Sequence, residues 1–243
     1  MDYSRIRDFI ISYTSDDEGL LADICREAIS SDVPIIRREA RDFLKTLLRM
    51  VRPKKILEVG TAVGYSTLVM AETMKDIYKK EIHNATSEDD VINDYWHIDT
   101  IELDDARYEI ADKNIKAMNM EGMITQYKGD AAEVLKKMVS EAEDVGGEID
   151  IKKKYDFIFI DAAKAQYSIY LESCMKLSRP GTVIVTDNIL ADGDVLESHF
   201  LVEKRDRTIH DRMREYIGEI MNDERLETSV LAVGDGMAVS VRK

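Results

Sequence analysis

Two short stretches end in residues that can hold a cation. "FIFIDAAK" (157–164) closes an apolar run on Asp161, with Lys164 in the next turn, and "VIVTDN" (183–188) closes another on Asp187 and Asn188. If the two runs are adjacent parallel strands, their carboxyl ends bring together two carboxylates and one amide oxygen. All three donors are hard oxygens, with no imidazole or thiolate among them. That set selects Mg²⁺, Mn²⁺ or Ca²⁺ over zinc or copper. A cation held there would stabilise an oxyanion and lower the pKa of the hydroxyl that forms it. Lys164 would take the proton or stand against the negative oxygen. Any one of these residues alone would pass for a helix cap or a turn acid. D-x-x-K followed by D-N, each after an apolar run, is poorly explained that way.

A second constellation lies in "KKILEVGTAVGYSTLVMAETM" (54–74), where an apolar run climbs to Glu58 and Gly60, bends through Gly64 and continues as a helix. In an open α/β sheet, ligands bind beyond the carboxyl ends of the strands where the strand order reverses. Glycines there let a ligand approach the backbone, and the following helix offers unpaired N–H groups. A dinucleotide site would show G-x-G-x-x-G, but this turn reads E-x-G-x-x-x-G. Glu58 would repel a pyrophosphate and suits an amino or sulfonium group. Glu102, closing "TIELD", is placed to accept the hydroxyls of a ribose. Asp130 and Ala131, in "GDAAEVL", lie where an adenine edge could be read. Together the turns describe a site for S-adenosylmethionine.

These turns need elements to hold them. "KILEV", "HIDTIEL", "ITQYK", "YDFIFI" and "TVIVT" alternate with helical segments, which predicts a mostly parallel sheet. "TSVLAV" and "MAVSVRK" flank "GDG" and predict an antiparallel hairpin. Ahead of the first strand, 3–12 and 18–30 read as short helices. "PIIRREARDFLKTLLRMV" reads as a longer one, with Pro34 in its first turn, Ile36, Phe43, Leu44, Leu47 and Leu48 toward the core, and Arg52-Pro53 as its stop. Residues 76–96 and 141–154 exceed the usual connection length and read as surface elaborations.

The chain has 243 residues, 44% of them hydrophobic, so a core can form without disulfides. Cys25 and Cys174 fit neither a disulfide framework nor a zinc spacing, and a reduced, cytoplasmic setting is expected. The charged N-terminus does not read as a signal peptide, and no apolar run reaches spanning length, so no membrane partner is expected. A formal charge of -14 argues against nonspecific attraction to nucleic acid while permitting a local basic patch. Lys204, Arg205, Arg207, Arg212 and Arg214 form the densest positive run, with Arg37, Arg38 and Arg41 a smaller one. His83, His97, His199 and His210 show no metal spacing and read as surface or core residues.

From "VPIIRREA" through "ILEVGTAVGYST", "IELDDARYEIADKNI", "FIFIDAAKAQY" and "VTDNIL" to "VGDGMAVSVRK", the chain resembles the cation-dependent O-methyltransferases that include the catechol and caffeoyl-CoA enzymes. The tail "KRDRTIHDRMREY…VGDGMAVS" is most similar to the bacterial tRNA 5-hydroxyuridine O-methyltransferase branch, whereas the long 76–96 insert and "ILADGDV" depart from it. The resemblance implies a Rossmann-like class I methyltransferase fold. The seven-stranded, mostly parallel sheet ends in an antiparallel hairpin, with residues 1–52 as a helical extension and 53–243 as the α/β core of one domain. It implies a donor site of Ile36, Glu58, Gly60, Thr61, Ser66, Glu102, Asp130, Ala131 and Asp161, and a Mg²⁺ site (or Mn²⁺ or Ca²⁺) of Asp161, Asp187 and Asn188. Catalysis falls to Lys164 and Asp161, and the assembly to a homodimer. The acceptor implied is wobble 5-hydroxyuridine in tRNA, giving 5-methoxyuridine, with Lys204, Arg205, Arg207 and Arg212 against phosphates. A small catechol or phenol is the alternative acceptor, and a non-catalytic nucleoside-binding protein the reading from another class.

Overall fold

The alternating apolar runs form one sheet. Its strands are β1 (Lys55–Val59), β2 (His97–Glu102), β3 (Ile124–Lys128), β4 (Tyr155–Ile160), β5 (Ser178–Thr186), β6 (Leu226–Leu231) and β7 (Met237–Arg242). They lie in the order β3-β2-β1-β4-β5-β7-β6. Strands β1 to β5 pair in parallel, and β7 runs antiparallel to both β5 and β6. The computed structural model describes residues 3–79, 81, 95–144 and 146–243. Most of the 76–96 insert lies outside the described residues. In the 141–154 stretch, Glu143 bridges Ile149 and Asp144 accepts backbone N–H groups from Gly146 and Glu148, a tight surface turn.

Helices cover both faces: α1 (Tyr3–Ile11), α2 (Gly19–Ser30), α3 (Arg38–Val51), α4 (Tyr65–Ile77), α5 (Asp105–Ala117), α6 (Ala131–Ala142), α7 (Tyr167–Leu177) and α8 (Arg207–Asn222). On one face, Leu44 and Leu48 of α3 and Leu68 and Met74 of α4 pack with Ile56, Phe157 and Phe159 from the strands. On the other, α6, α7 and α8 pack against Leu57, Ile158, Ile160 and Ile184. Successive residues of β1 and β4 thus bury alternately above and below, and both strands are largely apolar, as a sheet covered on both sides requires.

Helix α3 begins at Arg38, later than the sequence predicts. Pro34 does not open it; Arg37 is still extended at φ -66, ψ 152. The extended segment carries Ile36 inward, where it is 5% exposed, and burying that side chain outweighs four more residues of helix. The stop is as the sequence suggests: Arg52 caps α3 in the left-handed region, directly before Pro53. Strand β5 starts at Ser178, ahead of the predicted Thr182, because Ser178 already pairs with Tyr155 across an irregularity in the ladder. Among the described residues, no helix is long and apolar enough to cross a membrane.

Candidate active site

Between β1 and β4 the connections leave in opposite directions, and a cavity of about 960 Å³ opens at the carboxyl ends of the strands. Its floor is a backbone contact. A Cβ added at Gly60 would sit 2.0 Å from the Asp161 carbonyl oxygen, and Gly60 has φ +106, so only glycine fits. The turn after β1 is therefore seated directly on the residue that ends β4.

Gly60, Thr61, Ser66, Glu102, Asp130, Ala131, Asp161 and Ile36 all line this cavity. Glu102 is held from both sides: its Oε2 accepts from the Ala62 N–H at 2.7 Å and its Oε1 from the Asp104 N–H at 2.8 Å. Each oxygen keeps a second lone pair for a ligand hydroxyl. Asp130 caps α6, with Oδ1 accepting from the Ala132 N–H at 2.9 Å and the Glu133 N–H at 3.3 Å, which fixes the carboxylate at the cavity edge.

Glu58 is the correction in this set. It does not reach the cavity and is fully buried beneath the turn. Ser66 and Thr100 each donate a hydroxyl to it at 2.6 Å, and Thr67 donates a third. Burial pushes Glu58 up to about 7 despite those donors, with the Asp161 charge adding to the rise. It acts as a bracket that joins β1, β2 and the start of α4, where the sequence expects it to face a cationic ligand. Thr61 joins the same bracket, its hydroxyl 2.6 Å from that of Thr100, so what it shows the cavity is not a free hydroxyl.

Asp161, Asp187 and Asn188 lie together at the ends of β4 and β5. Strands β4 and β5 are neighbours, and the Asn188 side-chain amide donates to Asp161 Oδ1 at 2.8 Å. Asn188 is left-handed, at φ 59, and its own N–H donates to Asp187 Oδ1 at 2.7 Å. Asp161 and Asn188 line the cavity; Asp187, 2% exposed, stands behind them. Burial raises both carboxyls, and for Asp187 the neighbouring Asp161 charge raises it further. Two buried acids that repel each other suit a divalent cation, and the donor chemistry fits Mg²⁺ or Mn²⁺ held by Asp161, Asp187 and Asn188. Lys164 lines the same wall, with Nζ 3.6 Å from Asp235 Oδ2.

Asp235 is a site residue that sequence reasoning did not assign, although it sits within the quoted "VGDG". That turn packs on the loop leaving Asn188: the Ile189 N–H donates to the Gly236 carbonyl and the Leu190 N–H to the Asp235 carbonyl, both at 3.0 Å. Its glycines, at φ +62 and +82, were the available signal. Beside this turn, and also lining the cavity, runs the extended Pro34–Arg37 segment; a Cβ on Gly234 would lie 3.9 Å from the Arg37 Cβ. Its Arg37 carbonyl accepts the Arg41 N–H at 2.8 Å, and the Arg41 side chain, 3% exposed, anchors α3 to Asp17 Oδ1 at 2.9 Å and the Ser15 carbonyl at 2.7 Å, with Asp42 Oδ1 at 2.8 Å.

Three arginines of the basic run are held in local contacts. Arg205 pairs with Glu203 and Asp206, Arg207 turns back onto the Val202 and Phe200 carbonyls, and Arg212 pairs with Glu215. Lys204 is exposed ahead of α8. In the smaller run, Arg41 is buried and Arg38 pairs with Asp16. The charges interleave in space as they do in sequence.

Glu102→Gln should weaken S-adenosylmethionine binding about tenfold, because a charge-assisted hydrogen bond contributes roughly 1.5–3 kcal/mol. The amide keeps the size of the side chain, but its NH2 cannot accept, so one of the two backbone contacts, to the Ala62 or the Asp104 N–H, goes with the charge. Calorimetry that finds the same affinity in the folded variant would remove Glu102 from the ribose.

The family model described as O-methyltransferase matches residues 11–243. A catechol O-methyltransferase of Niastella koreensis is 32% identical over 157 residues, 65% of this chain and 59% of that protein. A probable caffeoyl-CoA O-methyltransferase of Dictyostelium discoideum is 26% identical, with 95% of this chain and 90% of that protein aligned. A solved structure from Staphylococcus aureus, provisionally assigned as a caffeoyl-CoA O-methyltransferase, superposes with a TM-score of 0.75 at 26% identity, covering 99% of this chain and 98% of that one. The fold is thus that of a known class. The chain belongs to the O-methyltransferase family, and it is an S-adenosylmethionine-dependent O-methyltransferase.

Proposed function

We propose that the enzyme uses a divalent cation and methylates one hydroxyl of a pair of adjacent oxygens, the acceptor being wobble 5-hydroxyuridine in tRNA and the product 5-methoxyuridine. The observation that carries the chemistry is the Asp161–Asn188 contact on the cavity wall, with Asp187 behind it and Lys164 beside it. A bound cation would supply Lewis acidity to the acceptor oxygens. The chain's own residues do the rest. The Gly60 turn and Glu102 hold the donor so that the acceptor oxygen approaches the methyl carbon in line with sulfur. A C–O bond forms as the C–S bond breaks, leaving the neutral thioether. The hydroxyl proton passes to Lys164 or to water, and Asp235 sets where the Lys164 nitrogen sits.

In 5-hydroxyuracil the 4-carbonyl stands beside the 5-hydroxyl, which meets the demand for two oxygens. The likeness of the 204–216 tail to the tRNA branch supports this acceptor. The ion pairs of Arg205 and Arg212 do not oppose it strongly. Their side chains are 80% and 61% exposed, and such surface pairs contribute about 0–1 kcal/mol, so a phosphate can replace the acidic partner. A small catechol is the second reading. It is favoured by those same pairings, which leave the run with little excess charge, and by the names of the relatives.

Changing Arg205, Arg207 and Arg212 together to glutamine separates the two acceptors. On tRNA, the apparent KM should rise, and the salt dependence of binding should flatten by roughly 0.7–0.9 in log–log slope for each lost phosphate contact. Turnover of a small catechol should be unchanged. Nucleoside mass spectrometry of hydroxylated tRNA after incubation with donor and Mg²⁺ reads the product directly. Unmethylated tRNA alongside rapid catechol turnover would overturn the tRNA assignment.

A further inference from the structure

A second group of ligand-bearing side chains lies outside the donor cavity. His199 sits in the loop before α8, and His210 and Asp211 in its first turns. Their ligand atoms lie within 4.8 Å of one another. They line a separate hollow of about 610 Å³ with Ser198, Arg214 and Glu215, none of which borders the donor cavity.

The ring nitrogens show what the group can hold. His210 is 2% exposed, and its Nε2 is 3.1 Å from the Glu197 carbonyl. A carbonyl only accepts, so Nε2 carries the proton. In neutral imidazole the other nitrogen, Nδ1, then presents a lone pair, and it faces Asp211 Oδ1 at 2.9 Å. Two acceptors at that distance need a proton or a cation between them. His199 adds a second imidazole: its Nδ1 is 2.8 Å from the same Asp211 oxygen. One carboxylate oxygen is thus shared by two imidazole nitrogens inside one small hollow.

We propose that His199, His210 and Asp211 form a site for Zn²⁺ or a similar borderline ion such as Co²⁺, distinct from the hard-oxygen site at Asp161. Two imidazole nitrogens and a carboxylate oxygen are a common zinc donor set, with bonds of about 2.0–2.2 Å. Tetrahedral bonds of that length separate the ligand atoms by roughly 3.3 Å, a few tenths of an ångström beyond the present contacts. His199 and Asp211, 41% and 49% exposed at their side chains, can swing to make that room. His210 is already oriented as a metal-bound histidine should be, its remote N–H held by a backbone carbonyl. Arg214, the one cation among the described residues lining the hollow, directs Nη1 at the Val195 and Glu197 carbonyls, and Glu215 pairs with Arg212. The fourth position falls to water or to Glu215. An ion here ties the loop that carries His199 to the start of α8.

The test uses the full chain stripped of metal with chelator and titrated with Co²⁺ or Zn²⁺ alone. Wild type should take up Co²⁺ with the intense visible absorption of four-coordinate cobalt, and millimolar Mg²⁺ should not displace it. His199→Ala and Asp211→Asn, both at exposed side chains, should each weaken Zn²⁺ at least about tenfold by calorimetry. Asp187→Ala should retain the site. Saturating Zn²⁺ should raise the unfolding temperature of wild type and not that of His199→Ala. The proposal is overturned if wild type binds no Zn²⁺ at tens of micromolar, in which case a proton fills the gap. It is equally overturned if both single variants bind as wild type does, or if Asp187→Ala alone removes the binding.

Discussion

Asp187→Ala should abolish methyl transfer while leaving most of the affinity for S-adenosylmethionine. Asp187 does not border the donor cavity; it stands behind Asp161 and Asn188. At the proposed cation site its loss would remove one of two carboxylate ligands, and metal-assisted polarisation is commonly worth several kcal/mol in the transition state. A deficit of about 3 kcal/mol corresponds to more than a hundredfold in rate. The metal-free variant should stay folded, because the change removes one member of a buried pair of like charges. Chelation of the wild type should reproduce the loss, and Mg²⁺ or Mn²⁺ should restore turnover to wild type only. Calorimetry for the donor and single-turnover rates separate the two effects. Undiminished turnover in excess chelator would defeat the cation chemistry.

Gly60→Ala should be still more damaging, and less selective. The added Cβ would lie 2.0 Å from the Asp161 carbonyl oxygen and 2.7 Å from its carbonyl carbon, with the backbone already at φ +106. Neither obstacle is a flexible side chain. Strained φ and overpacking each cost about 1–3 kcal/mol, and the relief must come from parting β1 and β4 at their ends. That movement displaces the donor turn and Asp161 together. Donor binding and turnover should therefore fail jointly, with a fall of several degrees in the unfolding temperature. Gly181→Ala is the control: φ is +90 but no atom lies within 4 Å, so only the conformational strain remains. If Gly60→Ala binds donor normally and melts like Gly181→Ala, the close seat of the turn on Asp161 is wrong.

The sheet was legible because its inner strands are buried on both sides, and "KILEV", "YDFIFI" and "TVIVT" can hardly be anything else between helical segments. The meeting of Asp161, Asp187 and Asn188 was legible for a related reason: parallel neighbours put their carboxyl ends at one edge, so the three come together once β4 and β5 are adjacent. Glu58 shows where this reasoning stops. Its position at the end of β1 is readable, but whether it points up at a ligand or down at Ser66, Thr67 and Thr100 depends on hydroxyls from other elements. Pro34 misled because a proline that can open a helix can equally precede an extended strap. His199 and His210 meet only because α8 turns back under the loop before it, which no spacing rule describes.

The Arg41 anchor beside the Pro34–Arg37 segment gives a built-in control for ionic-strength experiments. Arg41 and Asp17 are 4% and 7% exposed at their side chains, too deep for mobile ions to screen. Added salt should leave that segment, and with it the grip on the donor, where it is. Exposed guanidiniums such as Arg205 answer to salt directly. A loss of turnover between low and high ionic strength therefore reads the acceptor's charge and not the donor's: steep for a polyanion, nearly flat for a small neutral phenol.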